Sequence, residues 1–345
     1  MRDETLIIGE VILKTKKYTG KPPLQGFLQM DYPTFKETLK PFTGAICVFT
    51  GAVFFSGKAI LVKLGLAEGV GVMTLLNLRM LFSLPFFLAM LFYKQGKSEK
   101  ISIKDHGTII LLGICGYYLA SYFDFAGLQY ISASLERLIV FIYPTLVVIL
   151  SALFFKTRIG KKELIALGLT YSGIMIAFVS DAPTLSAPVV QGSLLVFASA
   201  FTYAIYLIGS GRLIPKIGAS RFTGYAMLVS TIAVLAHSVA TDDLNLITSA
   251  KVYIIGLLMA IFCTVIPAIL LAAGIRLIGS DKASIIGSIG PVSTIALAAI
   301  FLNEHISFAE LVGTCMVIAG VLLVSRQKQQ ALPPQKLRQD LPDPA

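Results

Sequence analysis

Residues 127–176 read GLQYISASLERLIVFIYPTLVVILSALFFKTRIGKKELIALGLTYSGIMI, and residues 274–323 read GIRLIGSDKASIIGSIGPVSTIALAAIFLNEHISFAELVGTCMVIAGVLL. Laid together without a gap, Gly127 falls on Gly274, Pro144 on Pro291, Glu163 on Glu310 and Gly173 on Gly320, a shift of 147 residues. Two Leu/Ile/Ala-rich stretches share apolar letters by chance. Gly, Pro and Glu held in register across two apolar blocks and their connector are much harder to obtain that way. The chain is read as an internal repeat.

Outward from that repeat, the 345 residues are 56% hydrophobic and 14% charged, with a mean hydropathy of +0.80. A soluble domain carries about 25% charged residues, so this chain cannot dress an ordinary water-facing surface. Its apolar residues come in blocks of about 20, the length that spans a bilayer as a helix. A β-barrel would show short alternating segments instead. The expected fold is an all-α integral membrane protein with ten transmembrane helices arranged as two inverted five-helix repeats.

The ten apolar segments lie near 43–63, 72–93, 107–126, 132–154, 161–179, 190–209, 221–240, 252–275, 283–302 and 307–325. With the N-terminus inside, the loops at 94–106, 155–162, 210–221 and 276–282 hold thirteen Lys/Arg, against two (Lys63 and Lys251) outside. That asymmetry follows the positive-inside rule. The net charge of +10 therefore orients helices and does not point to nucleic acid. A shift of 147 residues advances the chain by five segments, an odd number, so the second copy crosses in the opposite sense. Segments one and six agree more weakly, ICVFTGAVFF beside LLVFASAFTY. The domain reading is a cytoplasmic tail at 1–40, repeats at 41–183 and 188–326, and a disordered cytoplasmic tail at 327–345. Met30 is an alternative start to Met1. Inverted five-helix halves are a transporter architecture, with the solute site between the halves near mid-membrane.

The segment-four stretch GLQYISASLERLIVFIYPTLVVILSALFF and the segment nine–ten stretch ASIIGSIGPVSTIALAAIFLNEHISFAELVGTCMVIAGVLL resemble the drug/metabolite transporter superfamily, EamA type. The resemblance covers residues 43–326. It implies a secondary transporter, often an exporter of amino acids or other small metabolites, and a cavity formed by helices one, three, four, six, eight and nine. It also implies a bacterial inner-membrane location. One departure concerns Gly290, where many members carry Glu before the helix-nine proline; a carboxylate-based coupling step at that position is put in doubt. The Asn303-Glu304-His305 turn matches the family's turn and is read as structural.

A charge inside a membrane segment is costly and points to function with a nearby partner. The first half holds five: Lys58, Arg79, Asp124, Glu136 and Arg137, all placed by segment direction in the outer half of the bilayer. Lys58 is near enough to its helix end to snorkel. Arg79 could hold a carboxylate bidentately, and Asp124 could simply end its helix. Glu136 and Arg137 are neighbours about 100° apart on a helix, so at least one should face a cavity or another helix. Glu136 shares a face with Val140 and Tyr143. The expectation is one polar cluster in which Glu136 bridges Lys58 or Arg79, leaving one positive charge in excess. That excess favours a zwitterionic or anionic solute.

Pro144, Pro267 and Pro291 each free a backbone carbonyl, tolerable in lipid only beside protein or a water-lined cavity. Pro144 and Pro291 would be symmetric bends lining the pathway, or plain kinks. Ser284, Gly287, Ser288 and Pro291 form one face, suited to close helix packing or to a binding surface. Tyr117, Tyr118, Tyr122, Tyr203 and Tyr206 lie too deep for an interfacial belt and are candidates to line a cavity. His237 reads as a satisfied interfacial residue.

Cys47, Cys115, Cys263 and Cys315 sit in separate apolar segments and support neither a disulfide framework nor a metal site. No cofactor or metal pattern is found, and His106, His237 and His305 are scattered. HExxH, GxSxG, Walker A and EF-hand motifs are absent from the sequence, which weakens the alternative of a membrane enzyme. A passive channel is the other alternative. The expected partners are a small-molecule solute, the lipid bilayer, and a proton or exchange solute for coupling.

Overall fold

The computed structural model describes residues 32–92, 101–155, 160–181, 186–244, 246–287 and 289–331, and within them the chain forms helices joined by short turns, with no strand. In order these are α1 (Tyr32–Ala67), α2 (Val72–Phe92), α3 (Ile103–Gly113), a π-helical segment (Ile114–Leu119), α4 (Ala120–Gly127), α5 (Ala133–Val140), α6 (Tyr143–Phe155) and α7 (Lys161–Asp181). The second half continues with α8 (Ala187–Ile217), α9 (Ala219–Ala240), α10 (Ala250–Ala260), a second π-helical segment (Ile261–Val265), α11 (Ile266–Gly287), α12 (Gly290–Leu302) and α13 (Phe308–Ala331). Seven helical runs are long and apolar enough to cross a membrane: Phe42–Ala67, Val72–Phe92, Ile103–Gly127, Ala133–Phe154, Ala187–Ile214, Ala219–Ala240 and Ala250–Ile275. Leu164–Ala177, Gly290–Leu302 and Phe308–Leu323 are shorter apolar helices.

Three boundaries differ from the sequence reading. Helix α1 begins at Tyr32, inside the stretch read as tail: Pro33 stands near its start, where proline is tolerated, Lys36-Glu-Thr-Leu-Lys40 supplies helix formers, and the helix runs on through Pro41. Helix α13 continues to Ala331 through Arg326-Gln-Lys-Gln-Gln, again residues of high helix propensity. The loop expected at 276–282 is helical within α11. Its only breaker is Gly279, whose cost of about 1 kcal/mol does not end a helix.

The sequence repeat is also a repeat of structure. Both π-helical segments begin 147 residues apart, at Ile114 and Ile261. The N-cap serines of α3 and α10, Ser102 and Ser249, keep the same shift. The break at Ile142 before α6 falls on Ile289, which stands outside helix just before α12. Each break precedes the repeated proline, which has no N–H to continue the helix.

Packing between the halves is reciprocal. Helix α11 lies along α1 as α4 lies along α8, while α7 packs against its own counterpart α13. A methyl on Gly127 would stand 2.8 Å from the Gly192 carbonyl oxygen, and one on Gly274 would stand 3.0 Å from that of Gly44. Only a residue without a Cβ allows such backbone approach. Two exposed ion pairs follow the same exchange with their signs reversed. Lys251 meets Glu68 at 2.5 Å, and Lys216 meets Asp105 at 2.6 Å. Each joins the end of one half's first helix to the start of the other half's third.

Candidate functional site

Among the described buried residues the charged ones are Lys58, Arg79, Asp124, Glu136, Arg137 and Glu310. Glu310 serves the start of α13, where its carboxylate accepts from the Ser307 N–H at 2.8 Å and its own N–H donates to the Ser307 hydroxyl at 3.0 Å. Its charge is spent on a helix cap. The other five lie where α1, α2, α4 and α5 meet helices of the second half.

Lys58 of α1 is the centre of the main cluster. Its Nζ is 2.5 Å from Asp124 Oδ2 on α4 and 3.7 Å from Glu136 Oε1 on α5. Glu136 is 0% and Asp124 1% exposed. Apart from the Lys58 ammonium and the two carboxyl groups themselves, no described group is recorded as bonding their four oxygens. The ammonium in contact with them is what offsets their burial. Lys58 does not leave for the headgroups, and Asp124 does more than end a helix.

Arg137, next to Glu136, turns to the second half. Its Nε donates to Thr294 Oγ1 of α12 at 2.9 Å, and Nη2 reaches the Phe55 carbonyl at 3.5 Å. The Phe55 ring lies 5.4 Å from both the Arg137 guanidinium and Lys58 Nζ, so one aromatic ring serves both cations. Thr294 passes its proton to the Ser56 carbonyl at 3.4 Å, and the Ser56 hydroxyl reaches the Gly290 carbonyl at 3.0 Å. Gly290 therefore borders the cluster. A Cβ there would meet Phe141 at 3.5 Å and Ser56 Oγ at 3.9 Å, ordinary contacts with no clash. Lys58 and Arg137 together balance Asp124 and Glu136.

Arg79 of α2 stands apart from this balance. Its Nε donates to Thr264 Oγ1 at 3.0 Å and Nη1 to Ser121 Oγ at 3.1 Å, with the Phe125 ring 5.5 Å away. Within the described residues it forms no ion pair with either carboxylate. The second π-helical segment makes the Thr264 contact available. There the Thr264 hydroxyl donates to the Met259 carbonyl five residues back, at 3.0 Å, which leaves its oxygen free to accept from Arg79. π segments often mark functional places in helices.

The tyrosines divide into two groups. Tyr117 and Tyr206 share a hydrogen bond at 3.1 Å, and Tyr203 stacks on Tyr206 and meets Tyr143 edge to face. Tyr118 bonds His237 Nδ1 at 2.8 Å, with Tyr122 against the same imidazole at 5.0 Å between centroids. His237 is thus bound into the interior next to Asn77, whose side chain donates to Ser238 at 2.7 Å. The break at Phe141–Ile142 interrupts the face expected to join Glu136 to Val140 and Tyr143. Pro144 is half-buried at the start of α6 and Pro291 buried at the start of α12. Ser288 lies outside the described residues, and of Ser284 only the helical backbone is described. Glu304 accepts from the Ala133 and Ser134 N–H groups at 2.8 and 3.2 Å, holding the start of α5 from the second half. Sequence reading passed over Thr264, Thr294 and Ser121. A hydroxyl is cheap in an apolar helix and carries no periodic signal.

Residues 42–179 and 190–326 each match the EamA-like transporter family. The chain belongs to that family. This EamA-like chain is 27% identical over 276 residues to the uncharacterized transporter YcbK of Bacillus subtilis (strain 168), covering 78% of this chain and 88% of the relative. It is 23% identical over 280 residues to an uncharacterized transporter of Archaeoglobus fulgidus, covering 81% and 96%. A solved crystal structure at 14% identity superposes with a TM-score of 0.59 over 83% of this chain and 98% of that one, a likeness of fold. Family, relatives and apolar helices together make this a multi-pass helical membrane protein of a transporter family, consistent with the drug/metabolite transporter superfamily. The names of the relatives are those of transporters, not of enzymes.

Proposed function

We propose that this EamA-like protein is a secondary transporter that exports a small zwitterionic or anionic organic solute by alternating access. On this reading the seven long apolar helices and the three shorter ones together account for ten crossings. Five per half invert the second half, and the reciprocal contacts of Gly127 with Gly192 and of Gly274 with Gly44 support a two-fold exchange between halves 41–183 and 188–326. The Lys/Arg asymmetry supports a topology with both termini on the cytoplasmic side, and the proposed location is a bacterial inner membrane. A proton or a second solute supplies the coupling.

One observation carries this reading. Five charged side chains are buried inside an apolar bundle, and each of the two arginines also donates to a threonine of the opposite half, Thr264 or Thr294. Ionisable groups at such a place mark solute and ion pathways. A rocking motion of the halves would break and remake these contacts as the site changes sides.

The test is counterflow of labelled solute in proteoliposomes, with candidates drawn from amino acids and small carboxylates. A carrier accelerates uptake when unlabelled solute is trapped inside; a channel does not. Glu136→Gln is expected to keep its level in the membrane, cut transport sharply and shift its pH dependence. Wild-type transport by that variant at every pH removes Glu136 from the mechanism.

A further inference from the structure

We infer that Arg79 is the anchor for a carboxylate of the solute, which assigns the transported class as compounds carrying at least one free carboxylate. This rests on the transporter reading and narrows it. The argument is a charge account over the described buried residues. Lys58 and Arg137 are matched by Asp124 and Glu136, and Glu310 is held at a helix start far along the chain. Arg79 remains. It is 5% exposed and carries a permanent charge with neutral hydroxyls as its only recorded hydrogen-bond partners.

A buried cation without a counter-ion is expensive, and more so in a bundle surrounded by lipid. A structural clamp between α2, α4 and the second π segment needs no charge; a Gln or Lys reaching the same hydroxyls would serve. A guanidinium brings five N–H donors in a planar fork, of which two are used here. The rest of the fork suits a planar two-oxygen acceptor. Asp124 is the nearest built-in candidate, and it is occupied by Lys58 at 2.5 Å. Among the described residues Asp124 acts on Arg79 only from a distance and is shared with Lys58, so Arg79 has no carboxylate of its own, and the solute supplies one.

The location suits such a role. Arg79 and Ser121 belong to the first half, and Thr264 to a π segment of the second. An anion bound at Arg79 would bear on contacts that join the halves. Its arrival neutralises a cost that the empty protein carries, so the liganded protein pays less to separate Arg79 from its hydroxyls.

The test uses the full-length protein in detergent or nanodiscs. Thermal stabilisation is read with L-alanine, L-leucine, L-glutamate, pyruvate and succinate. L-alaninamide and L-leucinamide are the matched probes that lack the carboxylate. The expected result is stabilisation by one or more carboxylates and none by the matched amides. Arg79→Gln should weaken the best carboxylate by roughly 30-fold or more, the scale of losing one partner of a buried charge pair. Arg79→Lys, which keeps the charge and is the safeguard should the Gln variant not fold, should weaken it less. Equal affinity in the wild type and both variants overturns the assignment. So does a wild type that none of the five carboxylates stabilises, or that the amides stabilise as well. Arg79-dependent binding without counterflow would sink the transporter reading and leave the anchor standing.

Discussion

The two buried arginines are held by the same device and left in opposite electrical states. Each donates its Nε to a threonine of the other half, Arg137 to Thr294 and Arg79 to Thr264, and each threonine hands its own proton to a backbone carbonyl. Around Arg137, two carboxylates and a lysine bring the local charge to zero. Arg79 directly touches only hydroxyls and an aromatic ring, and the one carboxylate whose charge acts on it, Asp124, is already paired with Lys58. Geometry alone would call the two sites alike. Charge separates a region that is complete from one that is not.

The largest expected effect comes from unbalancing the complete site. Lys58→Met leaves Asp124 and Glu136 buried together without their cation, and should destabilise the protein by about 3–5 kcal/mol. Adding Asp124→Asn should return a large part of the loss. Thermal unfolding of the single and double variants checks both, and a double variant no better than the single would show that the lysine acts other than by charge.

Next in size is the threonine comparison. Thr294→Val removes a hydrogen bond to a charged group and should cost about 1.5–3 kcal/mol. Thr264→Val makes the same change beside Arg79, and its cost should shrink when a bound carboxylate supplies the missing acceptor. Measuring both variants with and without the best carboxylate probe sharpens the contrast. Equal responses to ligand would erase it.

Gly127→Ala and Gly274→Ala each push a methyl against a backbone carbonyl, at 2.8 and 3.0 Å. Each should cost roughly 1–3 kcal/mol from overpacking. Similar losses are expected because the two contacts are images of one another. The smallest effect belongs to the exposed ion pairs. Lys251→Ala and Lys216→Ala should each change stability by less than about 1 kcal/mol, as solvated surface pairs do.

Much of the architecture was legible in the sequence because membrane helices advertise themselves by length and composition. The ungapped match of Pro144 with Pro291 marked two helix breaks, and the five membrane charges marked the interior. The extensions at Tyr32 and Ala331 were not legible, since a helix leaving the bilayer loses its apolar period without losing its backbone. Nor was the helical run through 276–282, where charge and small residues imitate a loop. Pairing was the hardest part. Lys58 was one of two partners expected for Glu136, but nothing in the residue order could say that it would sit closer to Asp124 or that Arg79 would face Thr264 and Ser121. Those hydroxyls look like filler until three helices from two halves meet. His237 was read as a satisfied interfacial residue, but the residues that satisfy it, Tyr118 and Tyr122, come from another helix and could not be named from the residue order.

The paired π segments carry a record of descent. Each accommodates an irregular turn at the same place in its half, beginning at Ile114 and Ile261. The simplest ancestry is a single five-helix unit that already had the bulge before its gene was doubled. Thr264, however, falls opposite Tyr117, and Arg79 falls opposite Ala226. The irregular turn is common to both halves, whereas the arginine–threonine contact built on it exists on one side alone. All five charges of the site lie in the first half, and the second half meets both arginines with hydroxyls alone.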